Sequence, residues 1–250
     1  MQNIYKEDML LRTCHCDFRG TWRPSAIFEA MQEASGMHSH LLGCGRDALI
    51  QQGFVWVLSR MEVQMNKYPG AGDNISIETF PMSNRRWFFP RYFIFRNGQG
   101  EDLGCAASLW VLLDLTTRKM APPDRIFHLI PDNSDLIAPM GLPSTVAEVE
   151  GEERQLTRTP VYSDLDVNNH VNNARYVDWL CDALGYEALG TQTLRTICIN
   201  YEAEVRPDQV MGLKLKTQGN AFSLSGYHED KRHFGIGGTL MDRVYTNGKY

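Results

Sequence analysis

MEVQMNKYPGAGDNISIET, residues 61–79, and INYEAEVRPDQVMGLKLKT, residues 199–217, align without a gap 138 positions apart, Met61 falling on Ile199. Pro69 falls on Pro207 and Thr79 on Thr217. Ahead of the proline every second residue is apolar: Met61, Val63 and Met65 in one copy, Ile199, Tyr201, Ala203 and Val205 in the other. A period of two is the signature of a strand with one buried face, and the proline marks the turn into a second strand. A chain of 250 residues can bury one large core or two small ones; the duplication decides for two.

Outward from these segments, each copy is preceded by a helical pattern. Ile27, Ala30, Met31, Ala34, His38 and Leu41 follow Pro24 and Ser25 in the first half. Ala174, Val177, Leu180, Cys181 and Leu184 precede Gly185, a favoured helix terminator, in the second. Strand-like runs follow, among them 88–95 and 106–114, with Asn97-Gly98 as a hairpin turn between them. Each half therefore reads as an α+β lobe, one long helix and an antiparallel meander that curls round it. Between the halves, Pro122, Pro123, Pro131, Pro139 and Pro143 lead into Glu148, Glu150, Glu152 and Glu153. The expected division is a lobe at 1–130, a connector at 131–155 and a lobe at 156–250.

Bulk properties narrow the function. A formal net charge of −5, with no basic run interleaved with aromatics, argues against a nucleic-acid partner. No stretch of roughly 18 apolar residues suggests a membrane span and the first residues lack a signal-peptide core, so a soluble cytoplasmic protein is expected. The six cysteines are too dispersed for a disulfide framework. Cys14-His15-Cys16 and His38-Ser39-His40 lack a second pair at zinc spacing, so no metal is expected.

Chemistry concentrates in SDLDVNNHVNNARY, residues 163–176, at the start of the second helix. Histidine is the residue type whose ordinary pKa, about 6.5, suits proton exchange near neutrality, which singles out His170. Asn168 offers both a donor and an acceptor, while Asn172 or Asn173 suits the helix cap. Asp166 stands two residues before Asn168 and four before His170, and Asp164 competes with it. On the downstream strand, alternation places Glu202 and Glu204 on one face with equal claims to be the partner carboxylate.

Three stretches, WVLSRMEVQMNKYPGAGD from Trp56, SLWVLLDLTTRKMAPP from Ser108 and DLDVNNHVNNARYVDWL from Asp164, resemble the acyl-acyl carrier protein thioesterases, bacterial relatives of the plant fatty-acid chain-terminating enzymes. The resemblance implies two tandem hot-dog lobes and hydrolysis of fatty acyl thioesters on acyl carrier protein, without a cofactor. It also confines the catalytic set to the second lobe: Asp166, Asn168, His170 and, as general base or nucleophile, Glu204. The plant enzymes often carry cysteine after that glutamate; here Val205 stands there, which excludes a cysteine nucleophile at this position.

Aligning Asp17 on Asp164 sets Arg19, Thr21 and Arg23 opposite Asp166, Asn168 and His170, and Asn66 opposite Glu204. The first lobe then lacks the set and is expected to bind the acyl chain through Ala30, Met31, Ala34 and Met37, while an insertion near 44–52 explains the change of offset. An acidic carrier calls for a basic surface, for which Arg85 and Arg86 with Arg91, or Arg118 and Lys119, are candidates. A homodimer is compatible with these features. The rival readings are an acyl-CoA thioesterase, a hot-dog dehydratase and a non-catalytic acyl-binding module.

Overall fold

The computed structural model describes residues 3–243. Two units divide between Ser144 and Thr145, inside the expected connector. In the first, strands β1 (Tyr5–Leu10), β2 (Phe54–Met65), β3 (Asn74–Pro81), β4 (Phe88–Asn97) and β5 (Asp102–Asp114) form an antiparallel sheet in the order β1-β3-β4-β5-β2, with helices α1 (Pro24–Leu41) and α2 (Arg46–Gln51). In the second, helices α3 (Arg175–Leu184) and α4 (Tyr186–Thr191) accompany β6 (Glu152–Arg158), β7 (Gln192–Tyr201), β8 (Met211–Gln218), β9 (Ala221–His228) and β10 (Lys231–Asp242). Their order, β6-β8-β9-β10-β7, repeats that of the first unit strand for strand. The duplication seen in the sequence is thus a duplication of topology.

Helix α1 begins at Pro24, whose missing N–H is harmless in a first turn. It buries Ile27, Met31, Ala34 and His38, the stripe that a 3.6-residue period brings to one face, packed against β3 and β1. Helix α3 closes at Gly185, whose φ of 91° suits a residue without Cβ. It is 10 residues long against 18 in α1, so only the first unit has the long helix expected of both. The extra residues of the first unit lengthen α1, separate it from α2 through 42–45 where the second unit has Gly185 alone, and follow α2 at 52–53 and in the longer β2. Residues 46–51 are no insertion, because both units carry a short second helix there.

Two sequence expectations shift. The chain at 131–155 is not a free connector: Asn133 donates to the Pro81 carbonyl at 2.7 Å, and Leu136, Ala138 and Met140 pack on Phe80, Tyr92 and Ala107. Past the division, the Val146 N–H donates to Asn200 Oδ1 at 2.8 Å, and β6 already starts at Glu152. The β4–β5 hairpin exists but turns through Gly98, Gln99 and Gly100, with Gly100 at φ 83°, instead of through a two-residue Asn-Gly turn. Asn97 Oδ1 accepts the N–H groups of Gln99 (3.0 Å) and Glu101 (2.9 Å), which sets that three-residue loop.

Candidate active site

The motif loop is built on the same device. Leu165 and Val171 form an antiparallel bridge, the Asp166 N–H donates to the His170 carbonyl at 2.9 Å, and Asn169 takes a φ of 60°. Asparagine tolerates that left-handed conformation better than most residues. Asp166 Oδ1 accepts the N–H groups of Asn168 (2.8 Å) and His170 (3.3 Å), and its Oδ2 accepts Asn168 Nδ2 at 3.1 Å. The Asp166 carboxylate therefore holds the loop that presents Asn168 and His170.

Asp164, the competing carboxylate, is buried and faces elsewhere. It accepts the Val161 N–H at 2.9 Å and meets Arg158 Nη2 at 3.4 Å, and its carbonyl accepts the Asn172 N–H at 2.8 Å. Asp164→Ala is expected to destabilise the fold by about 2–3 kcal/mol, the scale of a lost buried charge-assisted network; a denaturation midpoint unchanged from the wild type would contradict this. At the start of α3, Asn172 Oδ1 accepts the Ala174 N–H at 2.9 Å, and the Asn172 carbonyl accepts the Arg175 N–H at 2.9 Å. The N-cap position itself is Ala174, which makes no side-chain cap bond, so neither Asn172 nor Asn173 is the expected cap; Asn172 instead shapes the turn that leads into the helix.

Strand β7 ends at Tyr201, and the regular alternation assumed for Glu202 and Glu204 ends with it. The N–H groups of Glu202 and Ala203 both donate to the His233 carbonyl, each at 2.9 Å, a bulge that separates the two glutamates. Glu202 pairs with Arg232 at 2.6 Å. Glu204 turns to the motif loop, its carboxylate 3.3 Å from His170 Nε2, with the glutamate side chain 51% and the histidine 27% exposed. The loop beyond the bulge is tied back, since the Val171 N–H donates to the Val205 carbonyl at 2.9 Å. Behind it, Tyr176 stacks edge-on against Phe234 at 4.7 Å and Tyr201 at 5.5 Å. Burial raises the phenol pKa of Tyr176 well above its usual value, so the residue stays neutral.

Sequence reasoning missed His233. It sits in β10 with 4% exposure, and its Nδ1 lies 2.9 Å from the Glu204 carbonyl. Nothing in its local pattern distinguishes it from a packed strand residue. Burial lowers its pKa, Lys231 and His228 lower it further, and the Glu204 contact opposes them. The folded state thus binds this proton less readily than the unfolded chain. The stability it contributes is fully present above an unfolded imidazole value of about 6.5 and is lost as pH falls through the lower folded value. The thermal midpoint of the wild type is expected to drop more steeply than that of His233→Asn between pH 7 and 5, roughly this window; parallel slopes would contradict it.

The first unit carries the same scaffold with other side chains. Asp17 Oδ1 accepts the N–H groups of Arg19 (2.9 Å) and Thr21 (3.1 Å), and the Asp17 N–H donates to the Thr21 carbonyl at 2.8 Å. Asp17 therefore corresponds to Asp166, not Asp164, and Arg19 and Thr21 replace Asn168 and His170. Likewise the Trp22 N–H donates to the Pro69 carbonyl at 2.9 Å, as Val171 does to Val205, so Tyr68 and not Asn66 stands in the place of Glu204. A slip of two residues preserves strand alternation, which is why the gapless alignment concealed it. On α1, Met31 and Ala34 are fully buried, Ala30 is half-buried and Met37 is 49% exposed. Arg91 is no surface cation. It is 6% exposed, and its guanidinium donates to His38 Nδ1 (3.0 Å), Thr79 Oγ1 (3.2 Å) and Ser39 Oγ (3.3 Å). Burial lowers its pKa to about 10.

The family model described as the acyl-ACP thioesterase N-terminal domain matches residues 2–127, and that of the acyl-ACP thioesterase C-terminal domain matches residues 148–244. The chain belongs to the acyl-ACP thioesterase family. This family member is 27% identical over 224 residues to the chloroplastic oleoyl-acyl carrier protein thioesterase of Coriandrum sativum, covering 83% of this chain and 61% of that protein. It is 24% identical over 229 residues to the chloroplastic palmitoyl-acyl carrier protein thioesterase of Cuphea hookeriana, covering 83% of this chain and 53% of that protein. It thus spans little more than half the length of these plant relatives. An acyl-ACP thioesterase structure from Bacteroides thetaiotaomicron superposes with a TM-score of 0.85 at 23% identity, covering 96% of this chain and 98% of that one. The 12:0-ACP thioesterase of Umbellularia californica gives 0.81 at 20% identity, with 97% and 99% covered. The double hot-dog architecture implied by the sequence resemblance is therefore the fold of this acyl-ACP thioesterase family member.

Proposed function

We propose that the chain hydrolyses the thioester of fatty acyl-acyl carrier protein, releasing free fatty acid. The observation that carries this reading is the Glu204 carboxylate 3.3 Å from His170 Nε2, on a loop held by Asp166, in a chain of this family. A carboxylate can only accept, so His170 Nε2 carries the proton in that contact. In the proposed reaction Glu204 takes a proton from water as the water oxygen adds to the thioester carbonyl carbon. The C–S bond then breaks, the acyl group leaves as the acid, His170 gives its Nε2 proton to the departing sulfur, and the proton held by Glu204 passes across the 3.3 Å contact to restore His170. A thiol of pKa about 8.5 is an easy leaving group, so side chains alone suffice for this chemistry. Asn168, whose amide is oriented by Asp166, is placed to hold the water or the thioester oxygen. Asp166 serves as a positioning residue.

Turnover of acyl-carrier-protein and acyl-CoA substrates with matched chains tests the carrier. Faster release of free thiol from the carrier-protein substrate is expected, and preference for the CoA ester would replace this reading by the acyl-CoA one. For the acyl chain, we place the apolar side of α1 around Met31 and Ala34, with Ala30 and Met37 at its margin. Ala34→Phe is expected to shift chain-length preference to shorter acyl groups, and an unchanged preference would remove that role. A homodimer, a cytoplasmic location and a place in fatty acid biosynthesis belong to the same proposal; sedimentation and cell fractionation test the first two. Among the described residues, no helix is long and apolar enough to cross a membrane.

A further inference from the structure

The two units leave their sheets in the same way at the ends of β2 and β7. In the second, the His233 carbonyl accepts two successive N–H groups, from Glu202 and Ala203. In the first, the Leu103 carbonyl accepts the N–H groups of Asn66 (2.8 Å) and Lys67 (3.2 Å). Both units then fasten the departing loop by the next anchor, Val171 to Val205 in one and Trp22 to Pro69 in the other, each at 2.9 Å. The backbone of this bulge therefore does not require a histidine, because a buried leucine occupies the same place in the first unit. What the imidazole adds is one hydrogen bond, from Nδ1 to the Glu204 carbonyl at 2.9 Å. A carbonyl only accepts, so Nδ1 is the protonated nitrogen. Burying an imidazole is less favourable than burying a leucine unless the polar contact is used. The unit that uses it is the one whose loop carries a carboxylate, while the other presents Tyr68.

We infer that His233 is a positioning residue for Glu204: it clamps the main chain of that residue so that the carboxylate stays in reach of His170. This rests on the reading of His170 and Glu204 as the reacting pair. With the Val205 carbonyl fastened on one side and the Glu204 carbonyl on the other, the glutamate side chain pivots on a fixed Cα.

The test compares three substitutions, with kcat and KM measured on acyl-carrier-protein substrate and folding followed by circular dichroism. His233→Leu installs the residue of the first unit. His233→Asn places an amide nitrogen where Nδ1 was, and His233→Gln carries it one bond too far. The leucine and glutamine variants are expected to fold and to lose about 10- to 100-fold in kcat, the effect of a small misplacement of a reacting group, with KM changed by no more than about twofold. His233→Asn is expected to recover most of that loss. In a Glu204→Ala background, none of the three should lower the residual rate further.

Equal rates for the asparagine and glutamine variants, or losses that persist in the Glu204→Ala background, would overturn the inference. So would a His233→Leu chain that fails to fold, since leucine serves the backbone in the first unit. Wild-type turnover in Glu204→Ala alone would defeat the reading of the pair instead. An inactive Glu204→Ala beside a fully active His233→Gln would defeat only the role of His233.

Discussion

His170→Ala is expected to lower the rate of thioester hydrolysis by about 10²- to 10⁴-fold, the usual contribution of a positioned acid–base group, while leaving the fold intact. The separation of the two effects follows from how the loop is held. Its hairpin depends on the His170 main chain, whose N–H donates to Asp166 Oδ1 and whose carbonyl accepts the Asp166 N–H. The imidazole itself is a partly exposed partner of a half-exposed glutamate, an arrangement that adds only about 0–1 kcal/mol to stability. Steady-state turnover together with a thermal melt checks both halves. Turnover close to wild type would remove His170 from the reaction.

Glu204→Gln is expected to cause a loss of similar size, about 10²- to 10⁴-fold, because the amide keeps the shape of the side chain and removes its capacity to take a proton. Glu202→Gln is the matched control. It breaks the 2.6 Å pair with Arg232, a half-exposed contact of about 0–1 kcal/mol, and is expected to leave turnover within a few-fold of wild type. The opposite ranking would transfer the reacting role to Glu202 and show that the bulge after Tyr201 does not govern which carboxylate reaches the substrate.

The sequence carried the tandem lobes, the main helix of each, the strands on either side of Pro69 and Pro207 and the location of the motif, because these rest on local periodicity. Its alternation pattern treated Glu202 and Glu204 as equals. The distinction arises from the His233 carbonyl, contributed by a strand some thirty residues away along the chain. Asp164 and Asp166 were likewise inseparable by composition. One is buried against Arg158 and the other shapes a hairpin. Arg91 looked like part of a basic surface with Arg85 and Arg86, yet it points into a cluster made by α1 and β3 residues.

By itself, then, the sequence determined that the chain holds two copies of one α+β plan and that a polar motif containing His170 stands before the helix of the second copy. Both follow from hydrophobic period and residue type, which neighbours along the chain express. Where the family resemblance had only implied Glu204 and Asp166, the tertiary structure sets Glu204 beside His170, gives the loop to Asp166 and places His233 behind Glu204. The glutamate choice and the His233 contact depend on a strand distant in sequence, and the aspartate choice on side-chain bonds inside its own loop; hydrophobic alternation expresses neither, and it is also blind to a two-residue slip in register.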